Sequence, residues 1–170
     1  DIPGTNWLYY SEYSPQNTEG TSTLVFYHIE SGKSISYSHI QSYKILDGQH
    51  ILFSQIENDK IALQYGKIAG GALSTVYTGY SKDFGGFGMT NNFEGTYITV
   101  EGNNHLLHYF NLKEQSSHIV LDFSKINLDD SHYLPVQRTY PISKNTRFIL
   151  LDVNSSFGEN NFQKQGKKTS

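Results

Sequence analysis

Asp47-Gly48-Gln49-His50-Ile51-Leu52-Phe53-Ser54 carries the reading of the fold. Asp-Gly marks a tight turn, because glycine reaches positive φ at no steric cost. The apolar run behind it is too short, and too rich in branched and aromatic residues, for a helix. The same grammar of turn residue, polar residues and hydrophobic strand recurs at Gly4-Thr5-Asn6-Trp7-Leu8-Tyr9-Tyr10-Ser11, at Gly95-Thr96-Tyr97-Ile98-Thr99-Val100-Glu101 and at Asn145-Thr146-Arg147-Phe148-Ile149-Leu150-Leu151-Asp152. From turn residue to turn residue, 4 to 48 to 95 to 145, the steps are 44, 47 and 50 residues. The first three copies each lead to a second strand ending in a polar turn, at Leu24 to Lys33, Lys60 to Lys67 and Leu106 to Glu114, and then to a weaker strand. A step of roughly 40 to 50 residues carrying four short strands has the dimensions of a propeller blade.

Working outward, Thr23 to Ile29, Ser34 to Tyr37, Tyr43 to Ile45, Ile61 to Tyr65, His118 to Leu121 and Arg147 to Leu151 read as further strands. Glu57-Asn58-Asp59-Lys60 and Gly102-Asn103-Asn104 read as hairpin turns. The glycine-rich middle, Gly66 to Gly88, opposes a helix and predicts bends, bulges or close backbone approach. The chain is therefore expected to be all-β. Residues 1–153 are read as one domain of propeller-like, repeated four-stranded antiparallel blades, and residues 154–170 as a polar flexible tail. Three periods and the start of a fourth fall short of, or barely reach, the smallest closed propeller of about four blades, so a partial or very small propeller is expected. A single up-and-down β-barrel is the alternative, since hairpins suit it equally well.

Asp47-Gly48-Gln49-His50-Ile51-Leu52-Phe53, together with a strand ending like Ile29-Glu30-Ser31-Gly32-Lys33, resembles the blades of TolB-like propellers and of the N-terminal propeller of prolyl oligopeptidase (S9) peptidases. In such blades an Asp-Gly turn leads into the second strand and the next strand ends in a glycine-containing turn. The resemblance spans most of residues 4–153 and departs from the pattern at Asn145, which stands where the other copies have Gly. It implies a propeller that restricts access to a separate catalytic domain, downstream and outside this sequence, and so implies no peptidase activity here.

Composition bounds the function. The 170 residues hold 13 Tyr, 10 Phe, one Trp, 15 Gly and 4 Pro, a mixture that favours strands and tight turns. Sixteen acids against 13 bases give a formal net charge of −3, with no basic face, so no nucleic-acid partner is expected. With no cysteine there are no disulfides, thiolate zinc sites or cysteine nucleophiles. No stretch reaches the roughly 18 apolar residues of a membrane span. The first residue is Asp1 rather than Met, which reads either as a processed secreted protein or as an excerpt of a longer one. A secreted or periplasmic location is expected.

No G-x-S-x-G nucleophile elbow is present, Asp129-Asp130 reads as a solvated turn, and Gly85-Gly86-Phe87-Gly88 lacks the lysine and helix of a phosphate loop. The expectation is a non-enzymatic recognition or gating module with a protein or small-ligand partner and no cofactor. Ligand-binding candidates are Tyr77, Tyr80, Phe84, Phe87 and Phe93, whose rings on a glycine-bent stretch either stack on a ligand or fill gaps between sheets. Trp7 reads as core. The competing class is a secreted lipocalin-like barrel holding an apolar ligand or haem; Gly4-Thr5-Asn6-Trp7 resembles the lipocalin Gly-x-Trp opening with one extra residue. His105 and His108 are then the candidate metal or haem ligands, although a spacing of three sends them to opposite faces of a strand.

Overall fold

The computed structural model describes residues 1–13, 20–90, 93–127, 132–133 and 154–155. Its strands are β1 (Trp7–Tyr13), β2 (Ser22–His28), β3 (Ser34–Leu46), β4 (His50–Glu57), β5 (Lys60–Lys67), β6 (Ser74–Tyr80), β7 (Phe84–Met89), β8 (Glu94–Glu101), β9 (Asn104–Asn111) and β10 (Ser116–Asp122). Two-residue strands β11 (His132–Tyr133) and β12 (Asn154–Ser155) pair antiparallel with each other. The chain forms two compact units, Asp1–Lys82 with Leu112–Ser116, and Asp83–Asn111 with Ser117–Ser170.

The first unit holds a sheet in the order β1-β2-β3-β4-β5-β6. Its centre is the 13-residue β3, which pairs with β2 through Ser34 to Ile40 and with β4 through Ile40 to Leu46. Sequence reasoning predicts two strands here, at Ser34 to Tyr37 and Tyr43 to Ile45, and the structure joins them. Ser38-His39-Ile40-Gln41-Ser42 contains neither Gly nor Pro to end a ladder, so one residue bends it instead: His39 takes φ 56° beside a register shift at Ile40/Ser42. β3 thus closes one repeat with its first half and opens the next with its second.

The core of this unit lies between the two repeats. Leu24 and Phe26, two apart on β2, share a face, as do Ile51 and Phe53 on β4, and these pack with Ile2, Ile40 and Ile68. Tyr37 bridges them, its ring centroid 6.2 Å from Phe26 and 4.9 Å from Phe53. Ile51, Leu52, Phe53 and Ser54 are consecutive and all buried, so β4 is covered on both faces. The β4–β5 hairpin turns at Asn58 (φ 51°) and Asp59 (φ 62°), the two positive angles a type I′ turn requires.

The second unit holds a sheet in the order β10-β9-β8-β7. β8 and β9 form a hairpin from Glu94↔Asn111 to Glu101↔Asn104, with Gly102 at φ 62° in its turn. β8, like β4, is buried on both faces from Gly95 to Thr99. Glycine is required at 95, where a Cβ would collide with the Gly88 carbonyl and with the Phe110 ring.

β1, β4 and β8 begin at residues 7, 50 and 94, so the repeat advances by 43 and 44 residues and is more regular than its turn residues suggest. A feature absent from the sequence reading is that β6 and β10 each run into one turn of 3-10 helix, Ser81–Asp83 and Phe123–Lys125. The second is capped by Asp122, whose carboxylate accepts from the Ser124 N–H and hydroxyl and from the Asn104 amide. Pairing stops between Tyr80 and Phe84, since β6 and β7 lie in different sheets. The alternative of one closed up-and-down barrel is therefore overturned: the strands form open antiparallel sheets at the repeat step. The fourth copy at Asn145, the Arg147 to Leu151 strand, Asp129-Asp130 and all of the tail beyond 155 lie outside the described residues.

Candidate functional site

Two copies of the repeated turn meet at one end of the first unit. In the first, the Thr5 N–H donates to the Ile2 carbonyl (3.1 Å) across Pro3 and Gly4, with Gly4 at φ 75°: proline first and glycine second, as a type II turn demands. In the second, the Gln49 N–H donates to the Leu46 carbonyl (3.1 Å) across Asp47 (φ 46°) and Gly48 (φ 69°), a type I′ pattern. A Cβ on Gly48 would lie 3.5 Å from the Pro3 carbonyl oxygen and 3.5 Å from Thr5, ordinary contact distances, so it is the positive φ that calls for glycine here.

Beside this contact lies an open cleft of about 310 Å³, lined by Gly4 to Trp7, His28, Gly48, Gln49 and Lys67 to Ala69. Trp7 and His28, paired across β1 and β2, meet edge to face at 4.9 Å. His28 Nδ1 lies 2.9 Å from the Ser31 hydroxyl and 3.3 Å from the Ser31 backbone nitrogen, whose N–H points to it. The Lys33 ammonium donates to the Ala69 carbonyl (3.0 Å). An indole, two side-chain amides (Asn6, Gln49) and the Lys67 cation suit recognition of a polar ligand with one flat or apolar face. Trp7 thus has two roles, packing against the core and lining the cleft, where sequence reasoning predicts core alone.

The Asp47 carboxylate organises the same turn. Oδ1 accepts from the Gln49 N–H (3.2 Å) and the His50 N–H (3.1 Å), and His50 Nδ1 lies 3.0 Å away. Burial opposes ionisation, but these hydrogen bonds and the charge of His50 outweigh it and hold the carboxyl below its usual range. Tyr65 stacks on His50 at 5.4 Å, and burial followed by the Asp47 charge pushes its phenol up.

Of the aromatic candidates, Tyr77 and Tyr80 stand on β6 in the first unit, and Phe84, Phe87 and Phe93 belong to the second. Tyr77 lies along its strand over Gly79, where a Cβ would collide with the phenol. Tyr80 is exposed, with the Lys82 ammonium 5.9 Å from its ring centroid. Phe84 is buried and stacks on Tyr97 at 6.3 Å. His105 and His108 stand on β9, opposite Val100 and Tyr97 of β8. His108 stacks flat on Tyr97 at 4.4 Å and its Nε2 is 2.8 Å from the Thr99 hydroxyl. Burial lowers the pKa of both histidines. Sequence reasoning missed the cleft, whose one signal was the pair of glycine turns one repeat apart.

Neither a protein-family model nor a curated protein matches the sequence. Solved structures do. TolB from Acinetobacter baumannii superposes with a TM-score of 0.54 at 13% identity, covering 92% of this chain and 38% of that one. The β-propeller domain of the Trilobed protease from Pyrococcus furiosus, which has an open velcro topology, gives 0.50 at 8% identity, covering 87% of this chain and 50% of that one. The chain is built of β-propeller blades. These are a TolB and a protease propeller, as the Asp-Gly repeat leads one to expect, and at such identities the likeness is one of backbone alone. The chain spans half or less of the length of each. Among the described residues no helix is long and apolar enough to cross a membrane, which leaves strands unaddressed.

Proposed function

We propose that these blades are a non-enzymatic recognition or gating module of a larger secreted or periplasmic protein or assembly, and that the cleft beside the paired glycine turns contacts its partner. The observation that supports this reading is the cleft itself: its walls supply an aromatic ring, amides and a cation, the groups of recognition. The likeness to propellers at least twice as long supports the idea that the blades act within something larger.

Trp7 is the only tryptophan, so its emission reports on the cleft without a label. Titrating the protein with a peptide library and with neutral and acidic oligosaccharides is expected to shift Trp7 emission saturably for one class, and Lys67→Ala with Gln49→Ala is expected to weaken that binding about tenfold or more. Saturable turnover of peptide or ester substrates by the purified chain, abolished by no contaminant control, would overturn the non-enzymatic reading. A flat Trp7 response to every class would remove the cleft from it.

A further inference from the structure

The turn that opens β4 demands a sequence that is chemically fragile. A type I′ turn needs positive φ at both central residues, and Asp47 (φ 46°) and Gly48 (φ 69°) supply them. The other type I′ turn, Asn58-Asp59, reaches such angles without glycine, and the turn at Gly4 has Pro3 in front of its glycine. Asp47-Gly48 is the one Asp-Gly bond in the chain, and the sequence holds no Asn-Gly. Glycine has no Cβ, so nothing on residue 48 shields its backbone nitrogen. That nitrogen can attack Cγ of the preceding carboxyl. The new N–Cγ bond closes a five-membered succinimide from Gly48 N and the carbonyl carbon, Cα, Cβ and Cγ of Asp47, while the amide proton and the carboxyl hydroxyl leave together as water. A second water then opens the ring. Attack at the side-chain carbonyl restores aspartate; attack at the backbone carbonyl leaves the main chain running through Cβ and Cγ, an isoaspartyl linkage.

The folded turn holds the carboxylate off this path. Oδ1 accepts from the Gln49 N–H (3.2 Å) and the His50 N–H (3.1 Å), one and two residues beyond the nitrogen that would attack. His50 Nδ1 lies 3.0 and 3.1 Å from the two carboxylate oxygens. Burial opposes ionisation, yet these contacts outweigh it and keep the carboxyl ionised, and a carboxylate has no hydroxyl to lose as water. Asp47 is itself exposed, so water reaches it and the hold is one of geometry and charge.

The product does not fit where the aspartate did. One extra main-chain atom would enter a two-residue loop whose closing bond, from the Gln49 N–H to the Leu46 carbonyl (3.1 Å), sets the Leu46↔His50 register. The carboxylate that accepts from Gln49 and His50 would move onto Cα, one atom back along the chain. We propose that Asp47-Gly48 is a modification site that the fold keeps silent: loss of the β3–β4 turn opens it to isomerisation through the succinimide, and the isoaspartyl chain does not regain the turn or the cleft wall formed by Gly48 and Gln49. The site is independent of what the cleft binds, and its readout is covalent.

The purified chain is held at about pH 6 and 37 °C in native buffer and in urea above its unfolding midpoint. Isoaspartate is located by peptide mapping with electron-transfer fragmentation and counted by isoaspartyl methyltransferase labelling. Residue 47 is expected to isomerise about tenfold faster or more in urea, because in native buffer only the opened turn reacts. On return to native buffer the isoaspartyl fraction is expected to lack amide protection at Gln49 and His50, while Asp47→Ala, incubated alike, gains no isoaspartate at this position and returns to its own starting spectrum. Equal rates in the two buffers overturn the silencing by the fold. An isoaspartyl chain that refolds with native protection at Gln49 and His50 overturns the consequence, and so does an Asp47→Ala chain that fails to recover, since the damage would then lie at another residue.

Discussion

Asp47 shows how one side chain converts a turn into the start of a strand. Its carboxylate satisfies two backbone donors that β4 has not yet paired, and orients His50 against Tyr65. Asp47→Ala is expected to cost about 1 kcal/mol or somewhat more in urea unfolding. Because its folded pKa lies below the unfolded value of 3.8, the contribution is full above that value and is lost as pH falls through the folded pKa. Asp47→Asn should therefore flatten the acid limb of the stability profile below about pH 4. His108 acts in the opposite chemical sense, with the same slope. Burial lowers its pKa from 6.5, so the folded state resists protonation, and stability is full above about 6.5 and declines as pH falls toward the folded pKa. Replacing it, His108→Gln, should remove part of that decline while keeping a partner for Thr99, as chemical denaturation at pH 5 and pH 7.5 would show.

Between residue and unit stand the strands that are buried on both faces. β8 tolerates β7 on one side only because residue 95 has no side chain. Gly95→Ala drives a methyl into the Gly88 carbonyl and the Phe110 ring, and is expected to cost about 2–3 kcal/mol and to loosen the β7 amides first in hydrogen exchange. At Gly48 the space is less tight but φ is 69°. There Gly48→Ala is expected to cost about 1–2 kcal/mol, through backbone strain rather than a clash. The two substitutions look alike in sequence and differ in cause, and exchange protection separates them: the first opens a ladder, the second a turn.

The molecule as a whole is a repeat, and each of its two units buries a phenylalanine ring completely. Phe53 in the first unit and Phe110 in the second are each completely buried. Phe53→Ala is expected to cost about 3–5 kcal/mol, a large share of a typical domain's stability, and to shift Trp7 emission to the red because Trp7 packs against the same cluster. Phe110→Ala should cost a similar amount, read by far-UV circular dichroism. If Phe53→Ala left Trp7 emission and the urea midpoint unchanged, the face-to-face packing of the first two repeats would be wrong.

The strands, their hairpin turns and their near-constant step were legible because they depend on neighbours in sequence: glycine and asparagine reach positive φ, and branched and aromatic residues fit a pleated surface. From that grammar alone the all-β class and the likeness in fold to TolB and protease propellers could be read. Partnership between distant segments could not. Ser34 to Leu46 runs unbroken because β2 and β4 both pair with it, and no local signal records a ladder shared between two partners. Trp7 lines a cleft only because Gly4 and Gly48, 44 residues apart, fold onto each other. His105 and His108 stand together in the sequence, yet the strand turns them to opposite faces and Thr99 and Tyr97 of β8 engage His108. Local sterics chose the elements; the burial of faces against partners far along the chain chose what each side chain meets.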